Sequence, residues 1–286
     1  MSLPLLDETT RSAHWGWEEH RYFGHRVFAE LTGQESVVGL LALSILGHRL
    51  PADCCALLDD AAAALTLADP RIWPLKLTRV VASYGHMVPA LSAGMLMEDE
   101  ARIGPWACLE AAKALIDFRA ALGEHVDDAE RVRCAVDAYL REHRFVWGFG
   151  TPFRSRDERL VAFGPCVQRR NRSHLPYWQT MQALITPVRD ARKAEANIGI
   201  ALAAVLLDMS FTPKQIAALV IGLVQHMFFA HALEGVGARD KVLRVLPEQY
   251  VTYRGRPDRV SPRAQIAQAG PFNNTSPEAL RTIATR

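Results

Sequence analysis

The stretch Thr212–Glu234, TPKQIAALVIGLVQHMFFAHALE, decides the fold class. Ile216, Leu219, Val220, Leu223, Val224 and Met227 recur at the i, i+3, i+4 spacing that lines one face of a helix. Its start is marked three times over: Thr212 can cap, Pro213 suits the first helical position, and Gln215 completes a capping box with Thr212. Working outward, the same period predicts helices over 35–46 (closed by Gly47), 51–67, 74–97, 105–122, 127–141 and 177–209, the last expected to break or kink at Pro187. Convincing strand-type alternation is absent, so the class is all-α.

Composition narrows the function classes. Apolar residues make up 49% of the 286 and charged residues 22%, which excludes a disordered, collagen-like or disulfide-stapled chain. A net charge of +2 gives no field suited to nucleic acid. The longest apolar candidates, 37–46 and 216–224, fall short of the ~18–20 residues of a membrane span. The beginning of the sequence lacks the basic and apolar regions of a secretory signal, so a cytoplasmic location is expected. Cys54, Cys55, Cys108, Cys134 and Cys166 form no C-x-x-C pair and read as thiols in a reducing compartment. His20/His25 and His226/His231 are spaced five apart, unlike helical zinc ligands, so no metal is expected.

Chemistry concentrates in the loop Gly148-Phe149-Gly150-Thr151, followed by Arg154, Arg156, Asp157 and Arg159. Glycines let backbone approach a ligand closely, and guanidinium groups suit phosphate or carboxylate. A solvated helix-to-helix turn is the competing reading. His86, in Ser83-Tyr84-Gly85-His86, reads as a core or interface histidine or as a site residue. Cys108, near the start of its helix, reads as a thiolate or as a buried small hydrophobe. The polar tail 249–286, with Arg254, Arg256, Arg259 and Arg263, is expected to wrap a surface or a partner.

Several segments, in order, resemble the citrate synthase family, and within it the short citryl-CoA lyase type. They are the leucine-rich helix ending Gly47-His48-Arg49-Leu50-Pro51, the segment Thr78-Arg79-Val80-Val81-Ala82-Ser83, and Ser92-Ala93-Gly94 with Gly104-Pro105. Gly148-Phe149-Gly150 with Asp157 and Arg159, Asn197-Ile198, Ala230-His231 with Glu234, and Pro247 with Tyr250 complete the set over residues ~20–260. The resemblance implies a large helical domain (1–112 and 216–286), a smaller one (113–215), an acyl-CoA site in the cleft between them, and a homodimer. In the family an aspartate removes the α-proton of the acyl-CoA, while two histidines hold the enol oxygen and the keto-acid carbonyl.

Against that pattern, the loop histidine falls on Thr151, the aspartate on Gly199 and the histidine after Gly-Pro on Ala107. A further histidine falls near Asp69 or Pro70, and a substrate arginine falls on Val224. Three readings follow. In the first, a divergent enzyme uses His86, Asp69, Cys108 and Thr151 for altered carbon–carbon chemistry on a coenzyme A thioester. The residues Arg79, Gly148, Gly150, Arg154, Arg156, Arg159, Asn197 and His231 would then bind the substrate. In the second, a non-catalytic relative binds a ligand or a partner protein. In the third, a helical dimer shares ancestry alone.

Overall fold

In the computed structural model, the opening stretch forms α10, Pro213–Val236. Its capping box is closed: Thr212 Oγ1 accepts the Gln215 N–H at 3.4 Å, and Gln215 Oε1 accepts the Thr212 N–H at 2.9 Å. Gln215 Nε2 also donates to the Ile45 carbonyl at 3.1 Å, tying this helix start to α1, Val37–Leu46. The structure describes residues 10–66, 69–151, 156–238 and 247–256; Arg154, Arg259 and Arg263 lie outside them. The chain divides into two compact units, Met1–Val242 and Leu243–Arg286. The first carries the helices that follow; the described part of the second, 247–256, carries a 3₁₀ turn at Glu248–Tyr250.

The core is built around α9, Ile198–Leu207, whose alternation of Ile, Leu, Val and Ala leaves no polar face. It packs against α5 (Pro105–Leu122), α7 (Glu158–Arg169), α8 (Pro176–Arg192) and α10. At its far end Asp208 accepts the Tyr177 and Trp178 N–H groups at 2.9 and 3.0 Å, which satisfies the first turn of α8. A second layer sets α3 (Trp73–Ala82) and α4 (Met87–Glu100) against α10, while α2 (Ala52–Ala64) joins α1 to α7, and α6 (Ala129–Glu142) packs on α5 and α8.

Three sequence expectations are corrected, while the all-α class holds. The helix expected over 74–97 is two, because Gly85 takes φ +99° and turns the chain between α3 and α4. The helix expected over 177–209 is also two, yet Pro187 sits inside α8; the break comes where Lys193 turns left-handed and Asn197 caps α9. The class stays all-α: the strands among the described residues, Ala13–His14, Arg21–Tyr22 and His25–Arg26, are two residues each and form a small antiparallel sheet. Finally, α10 is long and apolar enough to cross a membrane by length and composition, although half of that apolar window is buried within the protein. The sequence pattern hid this because Gln225 and His226 end the apolar run 216–224 inside the helix.

Candidate functional site

A cavity of about 330 Å³ opens between the loop 145–151, the start of α7, the first turns of α5 and α9, and the middle of α10. The loop is held in place by backbone. Gly148 O accepts the Asn197 N–H at 2.9 Å, Gly150 N donates to Glu195 O at 2.7 Å, and Asn197 Nδ2 donates to Gly150 O at 2.8 Å. Gly148 sits at φ +88°, and a Cβ there would lie 2.4 Å from Ile200 Cβ, so glycine is demanded by both conformation and contact. Phe145, Trp147 and Trp106 stack edge-to-face beside it, with ring centroids 4.6–4.8 Å apart, and two of these rings (Phe145 and Trp147) wall the cavity.

The polar wall is organised by Asp157, which is 2% exposed and caps α7. Its carboxylate accepts Arg159 Nε and Nη2 at 2.8 Å each, the Arg159 N–H at 3.0 Å and the Ile198 N–H at 2.9 Å. Burial pushes this carboxyl up, but the hydrogen bonds from Arg159 and Ile198 and the guanidinium charge outweigh it and hold the group below the usual carboxylate range. Arg159 thereby reaches the cavity in a fixed orientation. Asp69 and Arg71, also in the lining, form a second ion pair at 2.6 Å. Gly104 starts α5 without a side-chain cap, so the first-turn amides of that helix meet the cavity with their positive dipole end.

The structure brings together Asp69, Cys108, Gly148, Gly150, Thr151, Arg159 and Asn197 around this one space. It does not bring in Arg79, His86, Arg156 or His231. Arg79 is exposed and pairs with Glu234 at 2.9 Å, joining α3 to α10. His86 lies exposed in the turn after Gly85 rather than in a core. Arg156 is exposed, and His231 is buried within α10 away from the cavity lining. Cys108 lines the cavity, but burial pushes its thiol up to about 12, with Arg159 opposing and Glu98 adding to the rise. It is therefore a neutral S–H near pH 7, in keeping with the buried small hydrophobe of the two readings and not with the thiolate: desolvation outweighs the nearby positive charge.

Reading the sequence missed Glu98. This residue is 5% exposed, lines the cavity, and is raised by burial to about 7. Inside the acidic run Glu98-Asp99-Glu100 it reads as a solvated helix end. The available signal was its phase: Leu91, Gly94, Met95 and Glu98 lie on one stripe of α4.

The positions on which the resemblance places the family's site residues also converge here. Asp69, Ala107, Thr151, Gly199 and Val224, scattered over more than half the chain, all line the cavity. Comparison with solved structures finds citryl-CoA lyase from Hydrogenobacter thermophilus at TM-score 0.71 and 19% identity, over 90% of this chain and 98% of that one. The chain has the citrate synthase-like fold. ATP citrate lyase from Methanosaeta concilii, solved with (3S)-citryl-CoA, shares it at TM-score 0.67 and 12% identity, over 90% of this chain and 43% of that one. Citrate synthase from Thermoplasma acidophilum, in a ternary complex with carboxymethyl coenzyme A and oxaloacetate, matches at TM-score 0.53 and 16% identity, over 79% and 60%. The chain thus spans less than two thirds of the latter two proteins. No family model and no curated protein matches the sequence. All three structural neighbours lie in the group that the sequence motifs resemble, and the mainly helical architecture agrees with them.

Proposed function

We propose that the protein binds an acyl-CoA or a related carboxylate in the cavity of the citrate synthase-like fold, and forms or breaks a carbon–carbon bond there with altered chemistry. One observation carries this reading: the five positions aligned with the family's replaced residues, 69, 107, 151, 199 and 224, surround a single space. An apolar and aromatic wall suits an acyl chain and thioester. Arg159, oriented by Asp157, and the uncapped start of α5 suit a carboxylate or phosphate. The Thr151 hydroxyl can donate to a carbonyl oxygen.

Thermal denaturation with CoA thioesters and with di- and tricarboxylates tests the binding. A ligand at about 100 times its Kd stabilises by about 2.7 kcal/mol, a shift of several degrees for a chain of this size. A melting temperature inert to every CoA species would remove the reading. Hits then go to turnover assays with product-resolved mass spectrometry in both the condensing and the cleaving direction.

A second reading has its own support: Ala107, Gly199 and Val224 can neither move a proton nor hold an anion by charge, as expected of a binder without turnover. Thermal stabilisation without bond chemistry would favour it. A homodimer is proposed on the exposed apolar residues Phe229, Leu233 and Val236 of α10 together with Val88 and Leu96 of α4. A monomeric mass in multi-angle light scattering would exclude it. The division into 1–112 with 216–286 and 113–215 is carried forward as a closing motion about the cavity. A radius of gyration unchanged by a bound ligand would count against closure.

A further inference from the structure

Among the described charged residues of the cavity wall, Glu98 is a buried carboxyl with neither an ion pair nor a hydrogen bond to compensate its burial, only the nearby start of α5. Among the described residues its buried Oε2 has no hydrogen-bond partner and its carboxyl forms no ion pair. Its Oε1 occupies the space that a side chain at 104 would need, since a Cβ on Gly104 would lie 2.4 Å from it. Gly104 at φ +50° therefore both makes the turn into α5 and admits the carboxyl to the start of that helix. An ionisable group kept dry and unpaired is costly to the fold, and such groups concentrate where a ligand supplies the missing partner.

We propose that Glu98 is the proton-transfer group of the cavity, accepting a proton from the carbon α to the thioester carbonyl of a bound acyl-CoA. This rests on the acyl-CoA reading above. In the step, the Cα–H bond breaks as an O–H bond forms on the Glu98 carboxylate. The C–H electron pair becomes the C=C bond of an enolate, and the carbonyl π pair moves onto oxygen. Arg159 and the Thr151 hydroxyl line the same space and suit the developing negative oxygen. Return of the proton from Glu98 to carbon runs the step backwards.

Burial places the carboxyl at about 7, so acid and base forms coexist near neutrality, as general acid–base transfer requires. The other charged groups facing the cavity leave that titration legible. Asp69 is paired with Arg71, Asp157 with Arg159, Arg102 lies over the Trp106 ring, and Cys108 stays protonated. Glu158, also on the wall, is exposed to solvent.

The test measures deuterium incorporation from D₂O at the α-carbon of acetyl-CoA and of propionyl-CoA, by NMR from pH 5.5 to 8.5, beside the thermal shift each thioester produces. The wild type is expected to exchange, with a rate that rises through pH about 7 and then levels. Glu98→Gln should lose about 10²–10⁴-fold in exchange while keeping the thermal shift, and Glu98→Asp should recover part of the loss. Equal exchange in wild type and E98Q overturns the assignment, as does a wild type that is stabilised by either thioester yet exchanges neither. If no CoA thioester raises the melting temperature of either protein, the acyl-CoA reading itself has failed, and this step goes with it.

Discussion

Asp157 joins the start of α7 to the start of α9: its Oδ2 accepts the Ile198 N–H at 2.9 Å across 41 residues of chain. The same carboxylate takes two guanidinium hydrogen bonds from Arg159, so one side chain fixes two helix ends and one cationic cavity residue. Asp157→Ala is expected to cost about 2–4 kcal/mol in chemical denaturation, since it leaves a helix-start amide and a partly buried guanidinium without their acceptor. Because the folded group lies below its unfolded value, this contribution is present above the unfolded carboxylate range and is lost as pH falls through the folded value. The gap between wild type and Asp157→Asn should therefore narrow at acid pH; a constant gap would point to packing alone.

Glu98 gives the opposite dependence. Its folded value of about 7 exceeds the unfolded 4.5, so the native state binds the extra proton between those values. Its contribution to stability is present below the unfolded value and declines as pH rises to about 7, by an amount on the order of 3 kcal/mol. Glu98→Gln should therefore gain in melting temperature over wild type on going from pH 5 to pH 8. A difference that does not move with pH would mean that Glu98 ionises without penalty.

The two loop glycines should differ in their tolerance of alanine. Gly148 and Gly150 both have positive φ, but a Cβ at 148 would meet Ile200 at 2.4 Å, while one at 150 meets nothing within 4 Å. Gly150→Ala is expected to cost about 1–2 kcal/mol from conformation alone. Gly148→Ala adds overpacking against α9 of about 1–3 kcal/mol and should displace Thr151. Similar melting temperatures for the two variants would show that the loop yields more easily than its hydrogen bonds imply.

Arg159→Met should weaken the most stabilising anionic ligand about tenfold or more, the loss of one charge-assisted contact. Arg159→Lys keeps the charge without the planar fork, and should fall between the two. Unchanged affinity in both variants would take Arg159 off the ligand.

Local signals were legible where a single residue decides the outcome. Thr212, Pro213 and Gln215 announce α10, and Gly47, at φ +77°, ends α1. Breaks that depend on three-dimensional contacts were not: nothing local says that Lys193 turns left-handed while Pro187 stays helical, or that Gly85 separates α3 from α4. At the site, the positions that fall on the family's site residues lie round one space, which no local signal shows. Arg79 lies outside that space, paired with Glu234 155 residues away, and so does His86, which follows a turn that the periodicity runs through. Glu98 escaped because burial is a property of the packed helix and not of the acidic run in which it occurs.

The close fit of Glu98 against Gly104 also makes the site searchable. Both residues lie within one short stretch, Glu-x-x-x-x-x-Gly-Pro at 98–105. Among chains of this fold, the glutamate should recur only alongside a residue without a Cβ six positions on. A chain carrying the glutamate with a bulkier residue there would have to aim its carboxyl elsewhere. The pair is thus a mark, readable in sequence, of chains whose glutamate can reach the start of α5 in this way.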